Sequence, residues 1–183
     1  MKKIISEKNY DTIYHLADIH IRKDKKRHKE YKEIFKKLYK KLKKDKTKKL
    51  VVICGDLYHD KLNLSPSCQL LVCEFLNELT KYAPVVLIDG NHDVNLNNTD
   101  EISNIDSLKY IKNWDNIHYL KYTGSYQFGN IVFGVTQMEN DKVHECKIKN
   151  KIKIGLYHGQ LYNAVYENGM KIKSGLKLND FKS

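Results

Sequence analysis

Short apolar runs alternate with polar, glycine-marked segments along most of the chain, and one long periodic stretch stands out near the start. Thr12 to Ala17 reads as a short strand. From Lys26 to Lys44 the apolar positions Tyr31, Ile34, Phe35, Leu38, Tyr39 and Leu42 keep the 3.6-residue period with lysines opposite, which predicts an amphipathic helix. Leu50 to Cys54 is a continuous apolar run, as in a buried strand. Ser65-Pro66 then offers an N-cap and a proline at the first helical position, and Leu70, Cys73, Phe75, Leu76 and Leu79 carry that helix on. Pro84 to Ile88 is a third buried strand. This β-α-β-α-β order with short connections predicts a parallel sheet covered by helices.

The second half changes character. Asn104 to Lys112 reads as a helix, and Asn116 to Lys121, Ser125 to Phe128 and Ile131 to Thr136 as short strands. Gly129-Asn130 has the composition of a tight hairpin turn between the last two. Glu139 to Asn150 is a polar connection, Ile152 to Tyr157 another strand, and Glu167-Asn168-Gly169 a turn. A parallel first half and an antiparallel second half predict an α/β domain with mixed or paired sheets.

Composition narrows the class. The 183 residues, 41% hydrophobic and 30% charged, suit one globular domain spanning 1–183. Four cysteines at 54, 68, 73 and 146 fit reduced thiols and exclude a dense disulfide framework, and the lack of a CxxC pair argues against a zinc knuckle. An intracellular, reducing compartment is therefore expected. The N-terminus has no apolar core of a signal peptide, and no run approaches the ~18 apolar residues of a membrane span. The net charge of +11 invites a polyanion-binding reading. Only Arg22 and Arg27 are arginines, however, and a surface built for phosphate contacts recruits arginine for its two-pronged geometry. An A/T-rich coding bias, which also enriches Asn, Ile and Tyr, accounts for the lysines equally well.

The candidate chemistry sits where strands end. The first strand runs into Asp18-Ile19-His20, and alternate residues of an extended segment share a side, so both can address one point. The second ends in Gly55-Asp56-Leu57-Tyr58-His59, the third in Asp89-Gly90-Asn91-His92-Asp93, and the late strand in Tyr157-His158-Gly159. Carboxylate, imidazole and amide oxygen together suit Mn²⁺, Fe²⁺ or Mg²⁺ better than a thiolate zinc site. Each segment alone has an ordinary reading as a turn or loop; the ordered set, each after a strand-like run, does not.

Asp18-x-His20, Gly55-Asp56, Gly90-Asn91-His92-Asp93 and Tyr157-His158-Gly159 resemble the motifs of the calcineurin-like metallophosphoesterases. Within that superfamily, His-Leu-Ala-Asp-Ile-His (15–20) and Gly-Asp-Leu-Tyr-His (55–59) are similar to the nuclease subunit of SbcCD-type DNA double-strand-break repair complexes, which typically carries a histidine three residues after the second-motif aspartate, as His59 is here. The resemblance implies two stacked, mixed β-sheets flanked by helices, and two divalent ions, Mn²⁺ first. It implies that Asp18 and His20 hold one ion, that Asp56 bridges both and that Asn91 and His158 hold the other. His92 is then the general acid or charge stabiliser, with Asp93 orienting it and His59 assisting protonation or holding substrate. DNA and an ATPase subunit are the implied partners; there is no membrane role, and the oligomeric state is not set.

One feature departs from the family. Its closing Gly-His-x-His-like motif, which gives a histidine to each metal, has no counterpart after His158, and His118 and His144 follow no comparable motif. On this resemblance the chain looks C-terminally truncated, without the capping domain. The implied activity is phosphodiester hydrolysis, as a DNA exo- or endonuclease. A phosphatase of small molecules or proteins, or an incomplete fragment that only binds metal or nucleic acid, are the alternatives.

Overall fold

A computed structural model describes residues 2–95, 102–110 and 114–181. The strands are β1 (Lys2–Ser6), β2 (Thr12–Leu16), β3 (Lys49–Cys54), β4 (Val85–Ile88), β5 (Ile117–Tyr119), β6 (Gly124–Phe128), β7 (Ile131–Thr136) and β8 (Ile152–Tyr157). The α-helices are α1 (His28–Lys44) and α2 (Pro66–Thr80). They form an α/β fold of two four-stranded sheets, ordered β2-β3-β4-β5 and β1-β6-β7-β8, with the helices on the first. Each sheet belongs to its own compact unit, Tyr10–Tyr119 for the first and Met1–Asn9 with Leu120–Ser183 for the second.

In the Tyr10–Tyr119 unit all strand pairs are parallel, as the β-α-β-α-β pattern requires. Alternation divides β3 and β4 cleanly. Val51, Ile53, Val85 and Leu87 join the helix-facing core, while Leu50, Val52, Val86 and Ile88 are buried on the opposite face. Phe35 and Leu42 of α1 and Leu71, Val72, Phe75, Leu76 and Leu79 of α2 fill that core. The Phe35 and Phe75 rings stack with centroids 4.0 Å apart and lock the two helices together. The Ser65 hydroxyl caps α2 by accepting from Cys68 N at 3.2 Å, with Pro66 at the first position, as predicted. Within the expected helices, Ile34 and Leu70 are 60% exposed, and Leu71 and Val72 take the core positions instead. The lysines of α1 line its solvent face.

The other unit is less antiparallel than expected. Among its named strands only β6–β7 form an antiparallel pair, joined at Gly129-Asn130; β1–β6 and β7–β8 are parallel. β5, expected among these late strands from its position in sequence, instead pairs parallel to β4 and completes the first sheet. β1, two lysines before Ile-Ile-Ser, carries too few apolar residues to read as a strand, and its lysines suit an edge. The helix expected over 104–112 is a 3-10 turn at Asp106–Tyr110; positions 111 and 112 lie outside the described residues. All four cysteines are free, and no described helix is long and apolar enough to cross a membrane.

Replacing Phe75 by alanine is expected to cost about 3–5 kcal/mol, the usual penalty for emptying an aromatic core site. Urea denaturation followed by far-UV circular dichroism measures it; a loss under 1 kcal/mol would contradict the α1–α2 packing described.

Candidate metal centre

The Tyr10–Tyr119 unit gathers its chemistry at the C-terminal ends of β2, β3 and β4. Beyond β2 the chain does not stay extended. Asp18 and His20 adopt φ of 53° and 49°, and Asp56, after β3, has φ of 54°. These left-handed conformations cost non-glycine residues roughly 1–2 kcal/mol each. Main-chain bonds hold them: Asp18 N donates to Gly55 O at 3.2 Å, His20 N to Asp56 O at 2.9 Å and Ile21 N to Leu57 O at 3.0 Å. Asp18 and His20 do address one point, but through these kinks and not through extended alternation.

There the His20 Nε2 lies 3.7 Å from Asp18 Oδ1 and 3.4 Å from Asp56 Oδ2. The ligand atoms of Asp18, His20 and Asp56 all lie within 4.8 Å of one another, a spacing that could close on one divalent ion. The Asp56 side chain is 3% exposed while that of Asp18 is 63% exposed, so the set opens to solvent on the Asp18 side. Asp56 divides its oxygens: Oδ1 accepts from His92 N at 2.8 Å, and Oδ2 is turned to His20 and, at 4.0 Å, to His92 Nε2. Gly90 is essential to this approach, because a Cβ there would overlap the backbone nitrogen and carboxylate of Asp56. Asn91 occupies the same turn, between Gly90 and His92.

The structure corrects the role expected for Asp93. Its carboxylate does not touch the His92 ring. It accepts from Leu57 N at 3.3 Å, Tyr58 N at 3.0 Å and Gly90 N at 2.9 Å, tying the loop after β3 to the loop after β4. Burial pushes this carboxyl up to about 7, against the pull of the Tyr58 and Gly90 N–H groups. His92 is oriented by His59, whose carbonyl lies 2.5 Å from His92 Nδ1. A carbonyl only accepts, so Nδ1 carries the proton and neutral His92 keeps its lone pair on Nε2. His59 stacks on His92 at 5.7 Å and 12°, and burial, aided by Arg22, holds its imidazole below the usual histidine range.

Several contributors had no signal in the motifs. The Tyr31 hydroxyl of α1 donates to His20 O at 2.6 Å, and His28 Nε2 lies 2.8 Å from Arg22 O. Asp89, next to the Gly-Asn-His-Asp run, is taken up by the Ser103 and Tyr119 hydroxyls. His158 directly follows β8 in the other unit, where His144 is bonded to Ser125 Oγ at 2.8 Å.

Carboxylates and an imidazole gathered on kinked strand ends could hold a divalent ion, a donor set that suits a metal-dependent phosphoesterase. The chain belongs to the calcineurin-like phosphoesterase family, whose model matches residues 11–181. It is 42% identical over 187 residues to "Uncharacterized protein R555" of Acanthamoeba polyphaga mimivirus, a match covering 93% of this chain and 14% of that protein. "Putative phosphoesterase 244L" of Invertebrate iridescent virus 6 is 28% identical over 86 residues, covering 47% of this chain and 30% of that protein. The chain thus spans about one-seventh and under one-third of these relatives. Among solved structures, the Pseudomonas putida nuclease MPE aligns with a TM-score of 0.44 and 15% identity over 88% of this chain and 67% of its own, too remote to bear on what this chain cuts.

Asp93→Ala would orphan three buried N–H groups, at about 1–3 kcal/mol each, so a loss of at least about 3 kcal/mol is expected. Asp18→Ala, at an exposed side chain, should change metal-free stability by under about 1 kcal/mol. Parallel urea titrations in EDTA check the contrast; equal losses would refute the tethering role of Asp93.

Proposed function

We propose that this domain hydrolyses phosphodiesters with two divalent ions, Mn²⁺ first among them, as a DNA exo- or endonuclease of the break-repair type. The observation that carries the reading is the imidazole pair beside the carboxylates: His92, with its free Nε2 4.0 Å from Asp56 Oδ2, and His59, stacked on it and fixing its tautomer. The histidine three residues after Asp56 is the feature that separates the repair nucleases from ordinary phosphodiesterases in the sequence resemblance.

Within the Tyr10–Tyr119 unit, Asp18, His20 and Asp56 would hold one ion, and Asp56 and Asn91 would contribute to the other. Two such ions, when bound, would supply Lewis-acid activation of water and of the phosphate oxygens. The chain's own residues do the rest. As general acid His92 would act in its doubly protonated form, with Nδ1–H kept on the His59 carbonyl and a second proton on Nε2 that can be passed to the leaving oxygen or used to offset charge on the phosphate. His59 keeps His92 Nδ1–H engaged, so that only Nε2 takes part. Asp93 and Gly90 keep Asp56 and His92 in register. DNA is the proposed substrate, an ATPase subunit the proposed partner of the longer protein, and a reducing intracellular compartment the proposed setting, on the strength of four free thiols.

With Mn²⁺, linear DNA, bis-nitrophenyl phosphate and a nitrophenyl monoester as substrates, DNA and the diester should be cleaved in preference to the monoester. His92→Ala is expected to lower hydrolysis by roughly 10²–10⁴-fold while Mn²⁺ affinity by calorimetry stays nearly unchanged. Asp56→Ala should lose Mn²⁺ itself. A monoester preference would favour a phosphatase. Metal and DNA binding without hydrolysis would mark a domain incomplete on its own. Loss of Mn²⁺ in His92→Ala as severe as in Asp56→Ala would make His92 a ligand and overturn its role.

A further inference from the structure

His20 stands at the meeting point of two ligand clusters. One is the carboxylate set already described. The other is made of His20, His59 and His92, whose ring nitrogens also come within 4.8 Å of one another. His59 and His92 lie nearly parallel, and His20 meets both edge-on, at 79° and 90°, with centroids 5.4 and 4.8 Å away. Two further observations set this cluster apart from a chance meeting of rings. Among the described residues no hydrogen-bond partner reaches His20 Nδ1 or His59 Nδ1, both buried, a condition that ordinarily costs about 1–3 kcal/mol for each group. His92, by contrast, makes the bond that metal-bound histidines make, from one ring N–H to a main-chain carbonyl, which leaves the other nitrogen as a lone-pair donor.

We propose that His20, His59 and His92 form a three-imidazole site for Zn²⁺, sharing His20 with the Asp18–His20–Asp56 set. Three neutral nitrogen donors with a fourth position open to solvent are the donor set of many zinc centres, whereas Mn²⁺ and Mg²⁺ favour the oxygen-rich set next door. Tetrahedral Zn²⁺ with Zn–N bonds of about 2.0–2.1 Å places its ligands about 3.4 Å apart, so closing the cluster asks each ring to move by only about 1 Å. The main chain already ties the three together. His20 N donates to Asp56 O, His59 N donates to Ile21 O at 3.2 Å, and His92 bonds the His59 carbonyl. Zn²⁺ held there engages His92 Nε2, the nitrogen assigned to the leaving oxygen, so zinc acts as a brake on Mn²⁺-supported hydrolysis. That consequence rests on the proposed function; the existence of the site does not.

The test reads binding and not turnover. The chain is titrated with Co²⁺ and Zn²⁺ alone, following the visible bands of tetrahedral Co²⁺ and, by calorimetry, the Zn²⁺ affinity. The unmodified chain and Asp18→Ala are both expected to give tetrahedral bands and similar Zn²⁺ affinity. His59→Ala and His92→Ala are expected to lose the bands. Their Zn²⁺ affinity should fall by at least the roughly 10–100-fold seen when even an outer partner of a metal ligand is removed. Circular dichroism confirms that each variant is folded, and either histidine variant suffices should the other fail. Unchanged Zn²⁺ affinity in a folded histidine variant, or loss of the bands in Asp18→Ala, would overturn the site and return the ion to the carboxylate set. Failure of the nuclease reading shows separately, as absence of diester hydrolysis with Mn²⁺ while zinc binding persists.

Discussion

A single buried carboxylate holds the candidate centre together. Asp93 is 1% exposed and takes three main-chain N–H groups, two from the loop after β3 and one from the loop after β4. Only a carboxylate suits this place. It has two oxygens, no donor, and room for several bonds, where an amide would turn its NH₂ group toward N–H donors. Placing a charge there is costly, which is why its carboxyl is pushed up; the three N–H dipoles offset that cost. With both loops fixed at this point, Gly90 lies against Asp56, and the His92 amide reaches Asp56 Oδ1. That inner bond network sets how Gly90 and His92 approach Asp56.

The helices have a second task beyond covering the sheet. Three of their side chains reach the segment that carries His20: Tyr31 bonds His20 O, His28 lies against Arg22 O, and Cys68 Sγ approaches Ile21 O at 3.5 Å. The apolar faces of α1 and α2 set where those groups arrive. Packing of Phe35 on Phe75 is thereby linked to the position of a candidate ligand through the backbone alone. The exposed, lysine-rich outer face of α1 plays no part in these contacts.

Much of this was legible in the sequence, for identifiable reasons. β2, β3, β4 and both helices announce themselves because a buried parallel sheet demands continuous apolar runs and its cover demands a 3.6-residue stripe. The residues at the strand ends could be picked out because several metal-type donors there need a common explanation. What stayed hidden depends on tertiary context. β1 is two lysines and three other residues, and it becomes a strand only because β6 offers an edge. β5 has three residues, too few for periodicity to say which sheet it joins. Ile34 and Leu70 fit the stripe by spacing but fall on its margin. Asp93 was mistaken for an orienter of His92 because sequence adjacency cannot show that a carboxylate faces backward to the main chain. Tyr31, eleven residues from His20, has no spacing rule that links them.

Left-handed φ at Asp18, His20 and Asp56 ties these levels together. Of the five described non-glycine residues with left-handed φ, these three are expected ligands, and they mark places where the surroundings override local preference. Two of the three bring carboxylates to within 4 Å of the same imidazole nitrogen, an arrangement that also concentrates like charge. Neither strain nor charge repulsion stabilises the metal-free chain. Both are held because the β2–β3 ladder continues past the strand ends as Asp18 N to Gly55 O and His20 N to Asp56 O, and because the core beneath them is closely packed. A cation entering such a set meets ligands already in position, so little ordering entropy remains to be lost on binding. The same rigidity explains why the neighbouring imidazoles matter. A scaffold that fixes His20 for one ion also fixes it for another, and the donor chemistry on either side of its ring then decides which metal each side prefers.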